Sequence, residues 1–189
     1  VSVEHSPPWL GASFNFTRYL GNTRWYRQLP WGLVAKAQGQ LGFIAGEQLP
    51  ISELFFIGGI NTVRGYLLRS ISPSLDIATE PSPDASTFAF TVGGNKQAIF
   101  NFELEFPVFE KVGIRGVVFY DMGNVWAENE RLFQQNSSVR LPLGMYHSVG
   151  FGFRWFSPIG PLRFEWGFPL TRRPDDDTYI FEFTIGNFF

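Results

Sequence analysis

The chain has 189 residues, no cysteine and a formal net charge of −2. These values suit a single domain, exclude a disulfide framework or a thiolate metal site, and give no electrostatic case for nucleic acid. Charged residues make up 17% and aromatics 18%, including 22 Phe. That load of bulky rings is one that a protein solvated by lipid can use in full. No run of about 18 apolar residues occurs, so no transmembrane helix is encoded.

Helical periodicity is nearly absent, whereas alternation between clusters of Gly, Pro, Asn and Asp predicts about eight strands. The first is Val1–Ser6. Val1 already lies inside it, so the chain reads as processed or trimmed. The second covers Ala12–Leu20 and extends towards Leu29, and the third is Gly32–Ile44. A long connection follows, from Ala45 to Gly94. The fourth strand is Lys96–Phe106, stopped by Pro107, and the fifth is Gly113–Trp126. The sixth is Tyr146–Phe156, the seventh Leu162–Phe168, and the eighth Thr178–Phe189.

The phase of alternation separates two faces. Phe100, Phe102, Leu104 and Phe106 oppose Asn101, Glu103 and Glu105. Val149, Phe151, Phe153 and Trp155 oppose Ser148, Gly150, Gly152 and Arg154. Leu162, Phe164, Trp166 and Phe168 oppose Arg163, Glu165 and Gly167; Tyr179, Phe181, Phe183 and Ile185 oppose Glu182, Thr184 and Gly186. The aromatic volume is too large for the interior of a small barrel. It suits a lipid-facing exterior around a polar lumen. Trp9, Trp25, Trp31, Trp126 and Tyr179 fall near predicted strand ends, where aromatic girdles sit. The expected fold is therefore an all-β, antiparallel transmembrane β-barrel of about eight strands over residues 1–189, because lipid offers unpaired strand edges no hydrogen-bond partner.

The connection at about 45–94 is long enough to suggest a function. Its first half is apolar and contains Gly59-Ile60-Asn61-Thr62-Val63-Arg64-Gly65-Tyr66. Its second half, Ser72 to Gly94, is rich in Ser, Pro, Thr, Asp and Glu and reads as a solvated, mobile loop. Arg64 carries a permanent charge and five donors. Inside a polar lumen it would seek Glu103, Glu105 or Asp121; in a free loop it would seek water. No enzyme constellation stands out: His5 and His147 lie far apart, and Asp175-Asp176-Asp177 reads as a turn. No metal or other cofactor is expected.

Gly58 to Tyr66 resembles the VRGF/VRGY loop of the BamA/TamA family of outer-membrane protein insertases, also called the bacterial surface antigen family. Glu103-Leu104-Glu105-Phe106-Pro107, Phe119 through Trp126, Ser148 through Gly152 with Trp155 through Leu162, and Phe181 through Gly186 with Phe189 resemble other strands of that family, in family order. The resemblance implies a bacterial outer-membrane location and the C-terminal half of the family's barrel. It implies that Val63, Arg64, Gly65 and Tyr66 form a loop motif, with Arg64 paired to Glu105 and Asp121. It also implies that Phe181, Phe183, Ile185, Gly186 and Phe189 form a β-signal read by assembly machinery.

The family's barrels have about sixteen strands and are preceded by periplasmic POTRA modules. This chain has room for half that number and no POTRA, so it is either half of such a barrel or a small autonomous one; the second is the preferred expectation, as a monomer rather than a dimer. In a closed eight-stranded monomer, side chains alone fill the lumen. The loop is then expected over the mouth, with Arg64 near the rim; the alternative is that two chains combine into a wider barrel, which would keep the Arg64–Asp121 contact deep inside. The expected function is insertion and assembly of outer-membrane proteins, with lipid, unfolded outer-membrane proteins or machinery components as partners. The alternative is a small structural or pore-like barrel without that activity.

Overall fold

Alternating side chains give each strand one apolar and one polar face, and in the structure these faces line up across a single sheet. The computed structural model describes residues 1–7, 9, 14–46, 49–78, 87–135, 139–158, 160–174 and 176–186. The strands in chain order are β1 (Ser2–Ser6), β2 (Phe16–Gln28), β3 (Val34–Gly46), β4 (Ser74–Ala78), β5 (Thr87–Thr91), β6 (Lys96–Phe109), β7 (Ile114–Trp126), β8 (Tyr146–Ser157), β9 (Gly160–Pro169) and β10 (Ile180–Ile185). Eight of them form one antiparallel sheet in the order β1-β2-β3-β6-β7-β8-β9-β10. Among the described residues β1 and β10 are not paired with each other.

Two differences from the expected elements have local causes. β6 does not stop at Pro107 but runs to Phe109, with a register shift between Pro107 and Phe109 that absorbs the missing donor. The polar half of the long connection is not structureless: β4 and β5 pair as a two-stranded hairpin, with Leu75 across from Phe90. Residues 79–86 lie outside the described residues, as do 10–13 at the expected start of β2 and 187–189 at the end of the chain.

The sheet is inside-out relative to a soluble one. Phe43, Phe102, Phe151, Phe153, Phe181 and Phe183 on the apolar face are 42% to 48% exposed. Their rings pack laterally, Phe164 on Phe183 at 4.8 Å and Trp166 on Phe181 at 4.9 Å. On the opposite face Asp121, Arg154, Arg163 and Glu165 are buried. That polarity is the signature of strands that face lipid. Trp9, Trp25, Trp31 and Tyr179 are exposed, as a girdle requires. Trp126 is not part of one. It is fully buried, because the chain beyond β7 folds back over it, with its indole donating to the Gln134 carbonyl at 2.9 Å and meeting Phe133 edge-on.

The apolar core sits between the sheet and residues 55–71. Phe55, Ile57, Val63, Tyr66 and Ile71 from that loop pack against Ile44, Ile99, Val125 and Tyr146 from the strands. Burial of this cluster holds the loop along the polar face rather than across the mouth, and Arg64 is only 2% exposed. The expected position near the rim is therefore corrected. The physical reason is packing: the apolar side chains of residues 55–71 find their partners on β3, β6, β7 and β8.

Candidate functional site

The loop begins and ends at a neck. Ile57 and Ile71 exchange backbone bonds of 3.2 and 2.9 Å, and Phe55 pairs with Gly94. Above the neck the chain reverses at Gly58 and Gly59, whose φ values of 115° and 92° lie in the region that disfavours side chains. Thr62 then closes the turn: its hydroxyl accepts from the Gly58 amide at 2.8 Å and its amide donates to the Gly59 carbonyl at 3.0 Å. Asn101 of β6 donates to the Thr62 carbonyl at 2.6 Å, which fixes the turn to the sheet.

This geometry delivers Arg64 to the polar face. Its Nε and Nη2 each lie 2.7 Å from the two Asp121 oxygens, and its backbone amide donates to the same carboxylate at 3.1 Å. Nη1 reaches Glu103 at 2.5 Å and Glu165 at 3.0 Å. The guanidinium also lies over the Phe119 ring, 3.6 Å from its centroid. One side chain thus joins β6, β7 and β9. The planar fork explains the choice of Arg: a lysine offers a point charge and cannot serve two carboxylate directions and a ring face together.

Of the two carboxylates expected to hold Arg64, the structure brings Asp121 to it but not Glu105. Strand register gives the reason. Asp121 is level with Asn101, whereas Glu105 is level with Val117, four residues further along β7. At about 3.3 Å per residue, Glu105 is out of reach. It is bonded instead to Lys36 at 2.6 Å and to Arg154, with Arg115 at 3.5 Å. Glu103, a candidate from the phase of β6, and Glu165 take the vacant place. Arg154 forms a second hub, joined to Glu103 at 2.8 Å, Glu165 at 3.0 Å and Glu105. The polar phase already contained Arg154, Arg163 and Glu165, but only register says which of them meet.

The rest of the motif is equally engaged. Val63 is fully buried. Gly65 adopts φ 84° and lies backbone against backbone on Gly167; a Cβ there would come within 2.9 Å of the Gly167 carbonyl carbon. The Tyr66 hydroxyl lies 2.8 Å from the His147 carbonyl and 2.9 Å from the Thr171 carbonyl. Burial raises the Tyr66 pKa above its ordinary value, so the phenol remains a donor. Beside it Arg173 holds both Asp176 at 2.7 Å and the Ser70 carbonyl at 2.6 Å, tying the loop to the turn before β10. In β10, Phe181, Phe183 and Ile185 project from the exposed face, and Gly186 (φ 136°) donates to the Pro161 carbonyl at 3.0 Å. Phe189 lies outside the described residues.

An exposed aromatic face, a buried ionic face and a loop locked by an Arg in the order Val-Arg-Gly-Tyr coincide with a match over residues 1–189 to the Omp85 superfamily domain. The chain belongs to the Omp85 superfamily. It is similar to the outer membrane protein assembly factor BamA of Nitratidesulfovibrio vulgaris, 34% identical over 143 residues that cover 75% of this chain and 16% of that protein. It is 27% identical over 214 residues to the outer membrane protein assembly factor BamA of Neisseria meningitidis, covering 100% of this chain and 26% of the relative. A third relative is the chloroplastic outer envelope protein 80 of Arabidopsis thaliana, 32% identical over 127 residues, covering 67% of this chain and 14% of that one. The crystal structure of BamA from Haemophilus ducreyi lacking POTRA domains 1–3 superposes with a TM-score of 0.74 at 24% identity, covering 96% of this chain and 36% of that one. The chain thus spans 14% to 26% of the length of these curated relatives. As an Omp85 chain it is an integral outer-membrane β-barrel protein, and its sheet is the C-terminal barrel portion of the BamA fold.

Proposed function

We propose that this chain acts in the insertion and assembly of other β-barrel proteins in the outer membrane, without covalent chemistry of its own. The observation that carries the reading is the docked loop, in which Arg64 bridges Asp121, Glu103 and Glu165, in a chain similar to relatives named as assembly factors. Its partners are lipid, unfolded outer-membrane proteins and components of an assembly machinery. The outer edge of β10 is unpaired among the described residues, and an exposed strand edge is a template on which an extended chain adds by main-chain bonds. Phe181, Phe183, Ile185, Gly186 and Phe189 serve in this reading as the β-signal. Asp121 is the principal carboxylate that anchors the loop. Glu105 acts one step removed, by positioning Arg154.

The pore-like alternative is less well supported. Residues 55–71 pack along the polar face, and Arg64 there is buried among Asp121, Glu103 and Glu165. The deciding experiment measures folding of an unfolded client barrel into vesicles with and without this chain. Faster folding with the chain supports assembly activity. An unchanged rate removes it and leaves the structural reading.

A further inference from the structure

Residues 66–71 lead the loop from the Arg64 site back to the neck at Ile71. Their backbone turns sharply: the Ser70 amide donates to the Leu67 carbonyl at 3.1 Å, and Arg69 adopts φ 62°. A non-glycine residue in that region is strained and persists where its surroundings fix it. Those surroundings come from the connection between β9 and β10, residues 170–179. Arg173 Nη1 donates to the Ser70 carbonyl at 2.6 Å and Nη2 to the Ser70 hydroxyl at 3.2 Å. At the other end of the segment the Tyr66 hydroxyl donates to the Thr171 carbonyl at 2.9 Å. The connection is itself fixed to β8, where the Leu170 amide donates to the His147 carbonyl at 2.8 Å.

Arg173 is oriented by a single carboxylate. Asp176 accepts from its backbone amide at 2.8 Å, from Nε at 3.1 Å and from Nη2 at 2.7 Å. The guanidinium also faces the Tyr146 ring, 5.3 Å from its centroid. Nη1 is thereby directed at Ser70, and Asp176 reaches the loop through Arg173. The loop thus has two holds with separate partners. Arg64 is bonded to Asp121, Glu103 and Glu165, whereas Arg173 is bonded to Ser70 and Asp176. Holds with separate partners can open separately, because stability is not uniform along a chain.

We infer that Arg173 and Asp176 form a latch distinct from the Arg64 lock, in which Asp176 positions Arg173 on Ser70, so that residues 66–71 can be released and recaptured while Arg64 stays docked. The inference concerns how the loop is held and does not depend on assembly activity, so its test and the client-folding assay fail independently.

The test is residue-resolved amide hydrogen exchange on the folded chain in detergent or lipid discs. The Ser70 and Ile71 amides report on the latched segment and the Thr62 and Arg64 amides on the lock, all four being hydrogen-bonded in the docked loop. In Arg173→Ala, exchange at Ser70 and Ile71 rises about tenfold, the effect of losing a bond from a charged donor. Exchange at Thr62 and Arg64 stays within about twofold of the unmodified chain. Asp176→Ala raises exchange at Ser70 and Ile71 about threefold, the scale of a partly exposed ion pair. The double variant exchanges no faster than Arg173→Ala, because Asp176 acts through Arg173. Unchanged exchange at Ser70 and Ile71 in either single variant, an equal rise at Thr62 and Arg64, or rises that multiply in the double variant overturns the inference. Should the double variant fail to fold, the two amide pairs in the single variants decide.

Discussion

Arg64 and Asp121 meet through two bonds of 2.7 Å between guanidinium and carboxylate, and the Arg64 backbone amide adds a third contact to the same side chain. The residues are 57 apart in sequence, and both are buried, Asp121 completely. A buried pair of this kind contributes little net stability against its desolvation cost, but breaking it by removing one partner leaves an uncompensated charge. Its main effect is to allow the loop one position.

Removal of Arg64 tests that statement by stability. Arg64→Ala takes from the buried Asp121 carboxylate the cation bonded to it, while Glu103 and Glu165 keep Arg154, and costs about 3–5 kcal/mol. The temperature at which the folded band is lost on SDS electrophoresis falls accordingly. Arg64→Lys recovers only part of the loss, because an ammonium cannot hold Asp121 bidentately and reach Glu103 and Glu165 as well.

The two carboxylates expected to anchor the loop separate under proteolysis. Asp121→Asn releases the loop, and trypsin then cuts after the otherwise buried Arg64. Glu105→Gln disturbs Lys36 and Arg154 but leaves the Arg64 contacts intact, so the loop stays resistant. Equal sensitivity of the two variants would show that register does not assign their roles.

Much of this site was legible in the sequence. Alternation alone placed Glu103, Asp121, Arg154, Arg163 and Glu165 on the polar phase, and the Val63–Tyr66 motif pointed to Arg64. Partner choice was not legible, because it depends on which strand level each carboxylate occupies. Glu105 and Glu103 are chemically equivalent in sequence; only pairing of Glu103 with Phe119 and Asn101 with Asp121 brings Glu103 within reach. The β4–β5 hairpin was hidden for a related reason, since a Ser- and Pro-rich composition masks two five-residue strands. Trp126 was misplaced because a strand-end aromatic reads as a girdle residue until the following chain is seen to cover it.

Close approach of two glycines gives a steric prediction. A Cβ on Gly167 would sit 2.4 Å from the Gly65 amide nitrogen, and Gly65 itself needs φ 84°. Gly167→Ala and Gly65→Ala should each undock the loop and reproduce the trypsin sensitivity of Asp121→Asn. Gly21→Ala is the control, since its nearest neighbour would be the Leu41 carbonyl at 3.9 Å. That variant should behave as the unmodified chain.

The exposed face is tested by charge. Phe151 lies on β8, stacked on Trp166 at 5.5 Å, and projects away from the ionic face. Phe151→Arg should lower stability in vesicles by about 2–4 kcal/mol, the cost of a cation near mid-depth on a lipid-facing strand. Leu143→Arg, in the turn before β8 and 69% exposed, should change it little. Comparable effects at both positions would argue against a lipid-facing sheet.

The most direct measurement is a double-mutant cycle on Arg64 and Asp121, read from unfolding of the folded chain in vesicles. Arg64→Ala, Asp121→Ala and the double variant are compared with the unmodified protein. A coupling energy of about 1–3 kcal/mol is expected for two groups bonded this closely, with the double variant less damaged than the sum of the singles. Strict additivity would contradict the docked loop on which the functional reading depends.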